Sequence, residues 1–356
     1  MKSVHILFPC SPLEGIRKVD EEFQQEHAAA IKAGLKVFFF DHDHLVKRGE
    51  VIFNEYPKGT IVILRGWMLT LEQYTVLHAE FCKEDTRMLT SPQQYESMHY
   101  WPKAHEKYPL LRSLSPRCFW TYDKAFSVKH IKQFFGGDPI IVKDHVKSAK
   151  GAENAMFIKD SADKREVWTV IKNMIKERGN LFQRGIVFKQ RVNIRKDDDG
   201  NNIEFRAFFY GGHNLSVKPN GCKWDYLRAQ MQNTKMPLTD LIRQLAGLDE
   251  GFYTVDLALS DDAWVVLECG DGQVSGLATG EDAMLFYERL RFRTMGEPLN
   301  EHSVEDSYPV HFGYAYVVDG KVISSPLEGR VSDLKHALNA KEVTTCDIFG
   351  RAKQEA

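Results

Sequence analysis

The sequence predicts an α/β protein: an open parallel N-terminal layer followed by a larger α+β region. Three observations carry that expectation. Residues 1–90 run strand, helix, strand at the lengths of βαβ units, which build parallel sheets. Further on, apolar runs flank short polar turns, as antiparallel hairpins do. In one such hairpin, Phe252–Gln273, two acids stand inside apolar strands, where charge is costly unless something positive faces it.

Val4–Phe8 reads as a buried strand. Asp20–Ala33 has helical spacing, with Phe23, His27, Ala30 and Ile31 on one side, and stops at Gly34. Leu35–Phe40 and Thr60–Leu64 are the next strands, followed by Arg65-Gly66-Trp67 and a helix over Leu71–Lys83. Pro92, Pro102, Pro109 and Pro116 punctuate residues 91–120 and argue for a crossing segment rather than one long helix. A short helix over Ser127–Phe135 stops at Gly136-Gly137. The strand Pro139–Asp144 carries Lys143 and leads into a small-residue basic loop, Lys147–Gly151, then a strand at Ala155–Ile158 and a helix over Lys164–Glu177.

Ile186–Val192 and Asn202–Tyr210 are strands on either side of the exposed turn Lys196–Asn201. Leu215–Val217 is another strand, and a helix over Pro237–Leu245 precedes the acidic hairpin. Asp282–Arg291 reads as a closing helix. Near the end, Gly313–Val318 and Lys321–Ser325 flank Asp319-Gly320 as a hairpin, with a helix over 331–340. The expected divisions are 1–95, 96–300 and a C-terminal extension, 301–356.

At 356 residues the chain can bury one large core or two to three smaller ones. Its net charge of −2 argues against a global field for nucleic acid or an acidic membrane. No apolar run approaches the length of a bilayer span, and the N-terminus lacks the apolar core of a signal peptide. The six cysteines are dispersed without a Cys-x-x-Cys pair, which disfavours a structural zinc site or a disulfide framework. A reduced, cytoplasmic protein is the simplest expectation.

Asp256 and Glu268 are twelve residues apart, so a three-residue turn centred on Asp262 would oppose them on one face. Like charges so placed ask for a shared cation, and all-oxygen ligation suits magnesium. Asp271, just past the strand, offers a further oxygen. The competing reading pairs each acid with a nearby Arg or Lys. Lys143 is either a snorkelling lysine or a phosphate ligand working with Lys147 and Lys150 of the following loop. That loop does not match Gly-x-x-x-x-Gly-Lys-Ser/Thr, and no Gly-x-Gly-x-x-Gly follows the first strand, so P-loop and dinucleotide folds are disfavoured.

Glu204 and Arg206 share a strand face. They form a structural ion pair, or Arg206 takes a phosphate or substrate carboxylate while Glu204 meets a nucleotide hydroxyl. Lys218 could serve the same anion. Arg65 lies at the carboxyl end of a parallel strand, where ligands of open sheets gather; it is a substrate-carboxylate ligand, or else a helix-cap or surface arginine. His42 and His44, in Asp41-His-Asp-His, form the only dense histidine cluster and read as solvated rather than ligating, although alternate residues of an extended segment could share a face.

This order of features resembles the ATP-grasp superfamily: strand lysine, small-residue loop, apolar strand ending near Gln190, Glu-x-Arg strand, lysine, then an Asp–Glu hairpin. Three motifs are similar to the R2K clade of that superfamily: Phe8-Pro9 with Val19–Glu26, Leu64-Arg-Gly-Trp67, and Val266-Leu-Glu-Cys-Gly-Asp-Gly-Gln273. The resemblance covers about residues 100–295 and makes the first layer a pre-ATP-grasp domain. It implies two α+β subdomains that clamp ATP, with Lys143 on the phosphates. Val187–Val192 would be the hinge strand whose backbone meets adenine, with Lys189, Gln190, Arg191 and Val192 at the nucleotide, and Asp256 and Glu268 would be magnesium ligands. The superfamily commonly places Asn two residues after that Glu; here the position is Gly270, with Asp271 beside it. Lys103, Lys124 and Lys129 compete as the first phosphate-binding lysine.

The implied activity is ATP- and Mg2+-dependent carboxylate–amine ligation through an acylphosphate, on small-molecule or peptide substrates. Arg206 and Lys143 would be the catalytic cations and Arg65 the substrate ligand. A kinase acting on a hydroxyl, or a nucleotide-binding module without catalysis, are the alternatives. The latter is kept open by Gly270.

Overall fold

The computed structural model describes residues 3–83, 85–149, 151–222, 236, 238–249, 251–261 and 263–295, and the strands at 315–318, 321–324 and 343–345. The first sheet holds β1 (Ser3–Ser11), β2 (Gly15–Val19), β3 (Lys36–Phe40), β4 (Thr60–Leu64) and β5 (Arg87–Met88). β1 lies parallel to β3 and β4, and β4 to β5, as the βαβ pattern requires. β2, which the pattern does not signal, adds an antiparallel arm to the end of β1.

Ile6, Leu7, Phe8, Ile63 and Leu64 are fully buried because the sheet is covered on both faces. Helices Gln24–Lys32 and Ala283–Met295 lie on one side, and Leu71–Phe81, opened by a Thr70/Gln73 capping box, on the other. His42 and His44 fall in a helix, His42–Arg48, rather than an extended segment; Asp41 caps it through the His44 amide.

The proline-punctuated stretch becomes three short helices: Pro92–His99, Trp101–Lys107 and Pro109–Leu114. Each has proline in its first turn, where the missing N–H costs nothing. The second sheet, β6 (Cys118–Trp120), β7 (Ile140–Asp144), β8 (Phe157–Ile158) and β9 (Ile186–Gln190), is antiparallel in the order β6-β9-β7-β8. Helices Val128–Phe135 and Lys164–Arg178 cover it with Ile131, Phe135, Val167 and Ile171.

The third sheet is β10 (Glu204–Tyr210), β11 (His213–Pro219), β12 (Tyr253–Ser260) and β13 (Ala263–Asp271), ordered β11-β10-β12-β13. One face packs Phe205, Ala207, Val255 and Leu257 with Trp101, Leu111 and Leu241. On the other face Phe208 joins Phe286 and the core of the N-terminal layer. That sharing of a core seats the first sheet against the third. A last antiparallel sheet joins β14 (Ala315–Val318), β15 (Lys321–Ser324) and β16 (Val343–Thr345) in the order β15-β14-β16. The expected Asp319-Gly320 turn and the helix over 331–340 lie outside the described residues. Among the described residues no helix is long and apolar enough to cross a membrane.

Candidate active site

Directly opposed residues of an antiparallel sheet share a face. The third sheet opposes Lys218 to Arg206, Arg206 to Asp256, and Asp256 to Glu268. Four charged side chains therefore form one transverse row, two cations followed by two anions. The acids come into line by a route other than the expected three-residue turn. Ser260 pairs with Ala263 across a two-residue turn, with Asp261 left-handed at φ 51°. The register then shifts between Leu257, which faces Val266, and Asp256, which faces Glu268. Leu267 is the extra residue of a β-bulge. Without it Glu268 would turn toward the core.

Both acids are paired with cations. Arg206 donates from Nε and Nη2 to the two Asp256 oxygens at 2.8 and 2.7 Å, and from Nη1 to the Gly276 carbonyl at 2.8 Å. Lys143, at the end of β7, reaches across from the second sheet to Glu268 at 2.6 Å. The cations that neutralise the acids are thus the same two that the sequence nominates for phosphate.

Lys189 lies beneath this pair. Its ammonium donates to the Leu267 carbonyl at the bulge and sits 4.0 Å from the centre of a Trp101 ring that Lys143 meets at 5.5 Å. Burial, and then the charge of Lys143, push the Lys189 ammonium down to about 7. Its side chain thereby supports the strand that presents Glu268. Gln190 and Arg191 continue β9; their amides donate to the Arg117 and Pro139 carbonyls, each at 2.8 Å. The Arg191 guanidinium lies over Phe157, and Val192 follows, half-buried.

The row opens into a cleft walled by Met68 and His99 from one side, Lys147 from another, and Arg206, Asp256 and Glu268 from the sheet. Lys147 is held there through Asp144, whose buried carboxylate accepts from the Val146 and Lys147 amides at 2.7 Å and from Arg178 at 2.8 Å. Lys150 lies outside the described residues. Glu204 shares the face of Arg206 and accepts from Asn202 at 2.9 Å. Lys218, at the far end of the row, is buried.

Asp271 borders the cleft, but its carboxylate is buried and receives the backbone amide and side-chain amide of Gln273 at 3.0 and 3.2 Å. Strand alternation sets it one residue out of phase with Glu268 and Gly270. Among the described residues no three His, Cys, Asp or Glu side chains converge as a metal-ligand group.

Burial raises the Asp271 carboxyl from 3.8 to about 7. The folded state then binds more protons than the unfolded one between about pH 4 and pH 7, so stability falls as pH rises through that window. Asp271→Asn should flatten the slope of unfolding free energy against pH in urea titrations. An unchanged slope assigns it to other groups.

Arg65 is not at a substrate surface. It is 1% exposed, donates from Nε and Nη2 to Glu26 at 2.9 and 3.0 Å, and donates from Nη1 to the carbonyls of Gly272 and Ser275, the latter at 2.9 Å. The Tyr287 hydroxyl adds a 2.6 Å bond to the same Glu26. The expectation of a carboxylate clamp is corrected for that reason: the strand end is covered by helix Ala283–Met295 and the turn after β13, and the guanidinium ties them together. Gln273 strengthens the tie, accepting from the Leu64 amide at 3.2 Å and donating to the Tyr74 hydroxyl at 2.9 Å. Gly272 is required there, since a Cβ would sit 2.7 Å from the Phe252 ring.

Residues 135–290 match the model for the ATP-grasp domain, R2K clade family 3. Among solved structures the chain is similar to a RimK domain ATP-grasp protein from Sphaerobacter thermophilus, with a TM-score of 0.51 at 13% identity over 83% of this chain and 100% of that one. It is also similar to D-alanyl-alanine synthetase A from Vibrio cholerae, at 0.52 and 12% over 83% and 98%. D-Alanine-D-alanine ligase from Helicobacter pylori gives 0.52 and 10% over 84% and 100%. At these identities the likeness shows the fold. No curated protein matches the chain in sequence at a significant level. The fold is that of the ATP-grasp proteins. The match to the R2K clade spans residues 135–290, which include Lys143, Arg206, Asp256 and Glu268.

Proposed function

We propose that the protein is an ATP- and magnesium-dependent carboxylate–amine ligase. One observation carries this reading: at the meeting of two sheets, Arg206 and Lys143 are each held by an acid that opposes the other acid across β12 and β13. A magnesium–triphosphate unit complements that arrangement, with phosphate oxygens for the cations and a divalent ion for the carboxylates. The donors suit the metal, because magnesium keeps several waters and is commonly bound by one or two carboxylates together with substrate phosphates. Asp256 and Glu268 would hold it. When bound, the ion would offset negative charge on the phosphates.

Lys143, Lys147 and Arg206 would orient the triphosphate and stabilise the same charge. Glu204 and the Lys189–Val192 strand would meet the nucleoside, and Lys218 would extend the anion site. A substrate carboxylate oxygen attacks the γ-phosphorus, ADP leaves, and an acylphosphate forms. An amine then attacks the acyl carbon, phosphate leaves, and the amide nitrogen gives up its proton. The substrates would be small-molecule or peptide carboxylates and amines. The test is release of ADP and phosphate that requires both a carboxylate and an amine. AMP and pyrophosphate as products would overturn it, and a stable phosphorylated alcohol formed without an amine would make the protein a kinase.

Lys143→Ala is expected to weaken nucleotide binding and to cost about 2–4 kcal/mol of transition-state stabilisation, the scale of one preorganised charge contact. Steady-state kinetics check this; a loss below about tenfold would move the phosphate role to Lys147.

A further inference from the structure

The position that commonly carries Asn in the superfamily is occupied by Gly270, where any side chain would crowd two hydroxyls. Gly270 lies directly opposite Thr254, one step along the same face from the Asp256–Glu268 pair. A Cβ on Gly270 would stand 3.0 Å from the Ser275 hydroxyl and 3.2 Å from that of Thr254. The two hydroxyls are 2.9 Å apart and both residues line the cleft.

The acceptors around them favour one proton arrangement. The Ser275 hydroxyl has the Asp271 carbonyl as acceptor at 2.8 Å; with its proton there, Thr254 donates to Ser275 at 2.9 Å, the Gly270 carbonyl lying farther off at 3.4 Å. In that arrangement the Thr254 oxygen keeps both acceptor lone pairs. A buried hard oxygen without a donor thus sits beside two carboxylates, in the place of the missing amide.

We infer that the Thr254 hydroxyl, oriented by Ser275, supplies the divalent cation with the oxygen contact that Asn provides elsewhere in the superfamily. Thr254 is then a metal-binding residue and Ser275 a positioning residue. This rests on the proposed magnesium–nucleotide site and adds residues to it.

The test measures calorimetric affinity for a non-hydrolysable ATP analogue across a magnesium series, with Mn2+ electron paramagnetic resonance as an independent readout of the metal. Thr254→Val keeps shape and strand preference but removes the oxygen. It should raise the magnesium concentration for half-maximal nucleotide binding by about tenfold, the low end for perturbing a metal shell. Thr254→Ser should restore it to within about twofold of the wild type, and Ser275→Ala should fall between. A folded Thr254→Val protein with unchanged magnesium dependence and an unchanged Mn2+ spectrum would overturn the inference alone. Absence of any metal–nucleotide binding by the wild type would overturn the proposed site and this inference together.

Discussion

Glu268→Gln is expected to abolish magnesium-dependent turnover while leaving the protein folded. The substitution keeps the size of the side chain and its place on the bulge, so the register of β12 and β13 has no reason to change. It removes one of the two opposed negative charges that would hold the metal. It also weakens the partner of Lys143, whose ammonium is buried at 2.6 Å from Glu268. The Gln carbonyl can still accept from that ammonium, so the stability cost should be about 1 kcal/mol, the difference in scale between a hydrogen bond with a charged acceptor and one with a neutral acceptor. Turnover should fall by more than about a hundredfold, the effect of losing a preorganised electrostatic contact at the reacting group. ADP release at saturating magnesium, measured beside urea unfolding, separates the roles. Lowered stability with activity retained would make Glu268 a salt-bridge partner only.

Arg65→Met is expected to be the most destabilising single change at the junction of the N-terminal layer and the third sheet. It strands the Glu26 carboxylate, 12% exposed, with only the Tyr287 hydroxyl, and it leaves the Gly272 and Ser275 carbonyls without their donor. Removing one partner of a buried ion pair costs about 3–5 kcal/mol. Pairing it with Glu26→Gln should recover part of that loss, because the orphaned charge is gone. Denaturant midpoints of the two single variants and the double variant give the coupling directly. A stable Arg65→Met protein with selectively weakened carboxylate-substrate binding would return Arg65 to the substrate site.

The parallel layer and the opposed acids were legible because both rest on local periodicity. Val4–Phe8 and Leu35–Phe40 announce themselves as apolar runs around a helical spacing. Asp256 and Glu268 fall opposite each other under either a three-residue turn or a two-residue turn with a bulge. Residue spacing does not distinguish these, and the bulge that decides it is supported by Lys189 from another sheet. Arg65 was misread because its partners, Gly272, Ser275 and Tyr287, lie more than two hundred residues away and cover the strand end. The Thr254–Ser275 pair was invisible for a related reason: neither hydroxyl carries a motif, and only the fold brings them to Gly270. The prolines at 92, 102 and 109 marked boundaries correctly, but the chain uses them to begin helices.

The most direct measurement of the central claim is a calorimetric titration of the wild type with a non-hydrolysable ATP analogue, with and without magnesium. Because Asp256 and Glu268 are engaged by Arg206 and Lys143, metal and nucleotide each displace an internal ion pair, and either eases the way for the other. Stoichiometric binding is expected with magnesium, at an affinity at least about tenfold above that in chelator, a coupling of roughly 1.4 kcal/mol. Binding that is indifferent to magnesium, or no binding at millimolar nucleotide, would contradict the account.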